Sequence, residues 1–131
     1  MTVRCAAHDL GAVGNATVPT LRGADVLVVM HGGDMANGIR LLPGRTAVEL
    51  VNCGFQHAGW EWLDAYKRML TPIVRHVRLV MPPGGGNASS CPDAAGRARV
   101  SQKVGAAWNA DSALPWALLE PTLRDIVEAT R

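Results

Sequence analysis

The chain has 131 residues, 48% of them apolar and 18% charged, which is material for one hydrophobic core and one domain. Thirteen basic residues against 11 acidic ones leave a net charge of +2, which gives neither the basic footprint of a nucleic-acid binder nor the self-repulsion of a disordered tail. The longest apolar run, Val26 to Met30, is far short of the roughly 20 residues a membrane-spanning helix needs.

Taken in chain order, Thr2 to Ala7 reads as a strand. Arg4, His8 and Asp9 stand where a signal peptide would carry its apolar run, so the expectation is a cytosolic chain or one whose beginning lies upstream. A short helical piece follows near Val18 to Arg22. Ala24 to Met30 is the clearest strand, continuously apolar after Asp25, and its pattern predicts a central strand covered on both faces. Gly32-Gly33 breaks it, and Asp34 to Leu42 reads as a short helix with Met35, Ile39 and Leu42 on one face, stopped by Pro43-Gly44. Thr46 to Val51 is a second buried strand.

From Gly59 to Leu70, Trp60, Leu63, Tyr66 or Lys67 and Leu70 recur at helical spacing up to Pro72. That period assigns Trp60 and Trp62 to packing rather than to sugar stacking. Val74 to Met81 is a third strand, with Val77 and Leu79 on one face. A segment without period begins at Pro82 and runs to about Gln102. The tail holds an extended piece near Ala106 to Leu114 and a last helix from Pro121, where Leu123, Ile126 and Val127 are spaced for one face. Strands alternating with helices predict an α/β fold: a Rossmann-like parallel sheet with helices on both faces, in one domain spanning 1–131.

The chemistry concentrates in Ala24-Asp-Val-Leu-Val-Val-Met-His-Gly-Gly-Asp-Met-Ala-Asn37, which puts a histidine and two glycines where a strand ends and a helix begins. Open α/β sheets bind ligands at that carboxyl edge. Glycines there admit a phosphate close to the backbone, the amides of Asp34 to Ala36 face it, and a protonated nitrogen of His31 can donate to a phosphate oxygen. Glu49 lies in the next strand, where dinucleotide folds hold a ribose hydroxyl; the same spacing equally fits a carboxylate paired with a neighbour such as Arg45. His8, His31, His57 and His76 have no short ligand spacing with one another or with cysteine, so no metal site is expected. Cys5, Cys53 and Cys91 are an odd number, leaving at least one thiol free; a Cys53 to Cys91 bridge and three reduced thiols both remain open. Asn15-Ala-Thr17 and Asn87-Ala-Ser89 fit the glycosylation acceptor pattern, making Asn15 and Asn87 candidates in a secretory lumen.

The block from Ala24 through Val51 resembles the hallmark of family 61 glycosyltransferases: Ala-Asp, an apolar strand, His-Gly-Ala-Gly-Leu-Thr-Asn, an apolar turn, Pro-Gly, then a strand bearing glutamate. A weaker likeness continues through Asn109-Ala-Asp-Ser-Ala-Leu-Pro into the last helix. The resemblance implies one half of a GT-B glycosyltransferase, the C-terminal, donor-binding half, with a separate N-terminal Rossmann-like half supplying acceptor contacts and the base. It carries His31, Gly32, Gly33 and Asn37 over as the donor-phosphate turn and Glu49 as the ribose-side carboxylate. The implied reaction is inverting transfer from a nucleotide sugar, a UDP-sugar, to a hydroxyl of a glycan or glycoprotein acceptor, with no metal cofactor, in the Golgi or endoplasmic reticulum lumen. Two departures from the pattern matter: Gly33 replaces its alanine harmlessly, but Asp34 replaces its second glycine and Ala36 its hydroxyl residue. Asp34 puts a carboxylate where a diphosphate approaches, unless it turns away to cap the helix from Met35 onward. The competing expectations are a degenerate or truncated domain serving as a binding or scaffolding module, and a small-molecule-binding Rossmann-like domain unrelated to sugar transfer.

Overall fold

The computed structural model of the chain describes residues 4–7, 17–52, 64–81 and 116–129. Helix α1 (Thr17–Gly23) leads into β1 (Val26–Met30), a 3₁₀ segment η1 (Gly33–Arg40), β2 (Thr46–Asn52), α2 (Ala65–Leu70), β3 (Arg75–Met81) and α3 (Trp116–Ala129). The three strands form one parallel sheet in the order β1-β2-β3, with Val26 opposite Thr46 and Thr46 opposite Arg75. The architecture is α/β and in keeping with a Rossmann-like fold.

Period-two alternation along the strands sends side chains to two cores. On one face Leu27 and Val29 of β1 and Ala47 of β2 pack with Leu21 of α1, Met35 and Leu41 of the η1 region, Leu70 of α2 and Val74. On the other, Val48 and Leu50 of β2 and Met81 of β3 pack with Ile126 of α3, and Val26, Val28, Val77, Leu79 and Leu123 border them. Helical elements therefore cover both faces.

Four sequence expectations are corrected. Residues 4–7 are exposed and form no strand. Among the described strands β2, not β1, is central. The apolar run of β1 reports that helices cover both of its faces, which is a different property from having hydrogen-bonded neighbours on both edges. The segment after Gly33 is a 3₁₀ rather than an α-helix, with Met35 N–H donating to the Gly32 carbonyl at 3.0 Å and Leu41 N–H to Gly38 at 3.2 Å. Three residues per turn bury Met35, Gly38 and Leu41, and leave Ile39 and Leu42 49% and 41% exposed. The last helix begins at Trp116, so Pro121 lies inside it and forfeits one intrahelical hydrogen bond that the surrounding turns tolerate.

Three expectations hold and sharpen. The piece near Val18 to Arg22 is α1, the Thr46 strand is buried through Val51, and Val77 with Leu79 shares one face of β3. Of the helix read from Gly59 to Leu70 the described part is α2; Trp60, Trp62 and Leu63 lie outside the described residues, as do the segment from Pro82 and the extended piece near Ala106 to Leu114.

Gly38 is where η1 meets α2: a methyl group added there would stand 2.9 and 3.0 Å from the two terminal carbons of Leu70. Gly38→Val is expected to cost about 1–3 kcal/mol by overpacking. Gly23→Ala, where an added methyl meets nothing within 4 Å, serves as the control and is expected to stay within about 0.5 kcal/mol. Urea unfolding of the two variants checks the difference.

Candidate functional site at the carboxyl edge of the sheet

Because the strands are parallel, their carboxyl ends share one edge, and His31 stands there directly after β1. Its backbone N–H donates to the Leu50 carbonyl at 2.7 Å and extends the ladder by one residue. Gly32 follows with φ +149° and ψ −165°, a conformation open in practice to glycine alone, and an added methyl there would meet nothing within 4 Å. The requirement for glycine is thus one of backbone shape. Gly33 and Asp34 are exposed, and Ala36 and Asn37 half-buried, along the start of η1. Gly32, not Asp34, occupies the position before the segment; Asp34 is its second residue, so the expected capping role is not the one it plays.

Glu49 sits in the middle of β2, opposite Val29 on one side and Arg78 on the other. Alternation puts it on the same face as Ala47, and so on the face of His31, His76 and Arg78. Its side chain has no exposed surface. His31 Nδ1 meets Oε1; His76 Nε2 lies 2.9 Å and Arg78 Nε 2.8 Å from Oε2. A carboxylate only accepts, so the ring nitrogens facing it carry protons and donate. Arg78 also donates to Asp64 Oδ1 at 3.0 Å, tying β3 to the residue before α2. The Tyr66 ring stands edge-on to His31, 5.4 Å between centroids at 77°.

Burial pushes the Glu49 carboxyl up, but hydrogen bonds from His31, His76 and Arg78, with the charge of Arg78, more than reverse it and hold the group well below the usual carboxylate range. Burial works against the Arg78 cation too; the carboxylates of Glu49 and Asp64 outweigh it, and its pKa is raised. The result is a buried anion matched by one half-buried cation and two ring N–H groups. Among the described residues no group of three His, Cys, Asp or Glu side chains is arranged to hold a metal ion.

Of the residues singled out from the sequence, His31 and Glu49 are in direct contact, Gly32 and Gly33 form the adjoining turn, and Asn37 lies farther along η1. Arg45, the alternative partner for Glu49, pairs instead with Asp25 beside the amino ends of the strands. Sequence reading missed His76, Arg78, Tyr66 and Asp64. His76 and Arg78 did leave a signal: in Arg75-His-Val-Arg-Leu79 they alternate with apolar residues and put two hydrogen-bond donors on the face where β2 carries its one glutamate. Cys5 is an exposed free thiol. Asn15, Asn87, Cys53 and Cys91 lie outside the described residues. Among the described residues no helix is long and apolar enough to cross a membrane.

A carboxyl group whose folded pKa lies below its ordinary value of 4.5 stabilises the fold above that pH, and the contribution is lost as pH falls toward the folded value. Urea unfolding between pH 7 and pH 3 is therefore expected to show stability falling on the acid side of about 4.5. The fall is expected to be smaller in Glu49→Gln. At pH 7, Glu49→Ala, which strands His31, His76 and Arg78 without their acceptor, is expected to cost about 3–5 kcal/mol.

A scan against protein-family models, a search of curated proteins and a search of solved structures found no match for this chain.

Proposed function

We propose that this chain is the donor-binding part of an inverting glycosyltransferase, one Rossmann-like half of a GT-B enzyme of the family 61 type. The supporting observation is the meeting of His31 and Glu49, 18 residues apart in sequence, at the carboxyl edge of a parallel sheet and directly before a turn that only glycine can make at position 32. That edge is where open α/β sheets take their ligands. In this reading Gly32, Gly33 and the backbone amides at the start of η1 receive the diphosphate of a UDP-sugar, with His31 and Asn37 beside them and Glu49 behind His31. An acceptor hydroxyl of a glycan or glycoprotein attacks the anomeric carbon, the bond from that carbon to the diphosphate oxygen breaks, and the hydroxyl proton passes to a base from a second half. The negative charge that develops on the leaving diphosphate is met by fixed protein dipoles, with no cofactor required. Such a transferase works in the Golgi or endoplasmic reticulum lumen.

One observation favours a second reading, a non-catalytic binding or scaffolding module. Asp34 is exposed in the first turn of η1, where its charge opposes an incoming diphosphate.

Titration of the chain with UDP is expected to show saturable binding, weakened by about 1–3 kcal/mol in a folded His31→Ala variant, which loses the ring seated on Glu49 behind the turn. Absence of saturable binding in the wild type sinks the donor-binding reading. If Asp34 repels the ligand, Asp34→Gly binds UDP more tightly, which supports the second reading; unchanged affinity leaves the transferase reading in place.

A further inference from the structure

The resemblance places Glu49 beside the ribose of a donor, yet its side chain has no exposed surface and its two oxygens are taken by His31, His76 and Arg78. A hydroxyl seeking this carboxylate would have to enter the core and compete with three donors already in place. The group it does touch at the edge is His31, the residue immediately before the Gly32–Gly33 turn.

We propose that Glu49 is a positioning residue rather than a ribose ligand: braced by His76 and Arg78, it sets the ring of His31, and through it the turn that receives the diphosphate. This rests on reading that turn as the phosphate site. The carboxylate dictates that Nδ1 of His31 carries a proton, so in the neutral ring Nε2 is an acceptor. Tyr66 holds the ring from α2, and the hydrogen bond of the His31 N–H to Leu50 holds the backbone, so residue 31 is fixed at the point where the chain enters the permissive Gly32 conformation. His76 and Arg78 come from β3, which is separated from β1 by the whole width of β2. Their influence on the turn is relayed by Glu49, the residue between them and His31.

The test uses the full chain with two probes, UDP and inorganic diphosphate, which share the phosphates and differ in the ribose. Glu49→Gln and His76→Leu are each expected to weaken both probes in equal proportion, by roughly 10- to 100-fold, as for partners that orient a binding group from behind. His76→Gln, whose amide can still donate to Glu49, is expected to recover most of what His76→Leu loses. Nitrogen-15 spectra of the histidine rings supply a readout that simple destabilisation would not move. In the wild type Nδ1 of His31 is expected to carry a proton, and the ring shifts are expected to change in His76→Leu and return in His76→Gln. Loss of UDP affinity in Glu49→Gln with diphosphate affinity intact restores the ribose contact and overturns the proposal, as does a His31 ring protonated at Nε2 alone. If the wild type binds neither probe the donor reading fails, and the His31 ring spectra still decide whether Glu49 and His76 set that ring. Should Glu49→Gln fail to fold, the wild-type ring assignment and the two His76 variants carry the decision.

Discussion

A carboxylate without exposed surface is tolerated in a protein interior only where its lost hydration is replaced by donors of good geometry, and Glu49 imposes that condition on everything around it. Three donors answer it: His31 after β1, and His76 and Arg78 on β3. For all to reach one side chain, β2 must lie between β1 and β3, and the register must bring Val29 and Arg78 opposite residue 49. The polar cluster and the sheet order are thus mutually dependent. A one-residue slip of either outer strand would turn its donors onto the opposite, apolar face and leave the anion exposed to hydrocarbon.

The cluster lies along a face that is otherwise apolar, from His76 opposite Ala47 to His31 after the end of β1. Leu21, Leu27, Met35 and Leu70 build a close-packed layer under α1, η1 and α2, and the polar residues adjoin it, His76 standing opposite Ala47 of that layer. The opposite face, under α3, is lined by Val48, Leu50, Met81 and Ile126. The face under α1, η1 and α2 therefore carries an apolar layer and a polar cluster whose His31 member reaches the carboxyl rim of the sheet. The Gly32–Gly33 turn sits at that rim, next to side chains held by packing and by charge-assisted hydrogen bonds, the condition under which a loop keeps a defined geometry.

The 3₁₀ winding of η1 belongs to the same economy of space. Gly38 faces Leu70 so closely that even a methyl group would crowd it, so η1 lies tight against α2. With three residues per turn Met35, Gly38 and Leu41 fall in one line and can all face the core over a short path. An α-helical turn would have pointed Ile39 and Leu42 inward, as the sequence period alone leads one to expect. Close approach to α2 decided between the two windings, and that contact joins residues more than thirty positions apart.

What the sequence determined by itself is the local grammar. The apolar runs placed three strands, the Gly-Gly break placed the end of β1, the Pro-Gly pair stopped η1, and the alternation in β3 put Val77 and Leu79 together. These follow from backbone sterics and from side-chain period, which act over a few residues. Strand order, the winding of η1 and the partners of Glu49 were decided by the tertiary structure. Apolarity shows that the faces of a strand are covered and says nothing of how many neighbours bond its edges, so β1 and β2 could not be ranked. Arg45 and Arg78 are both arginines within reach of a strand glutamate on paper. Only the parallel register, which puts residue 78 opposite residue 49 and residue 45 beside Asp25, made one of them the partner of a buried charge.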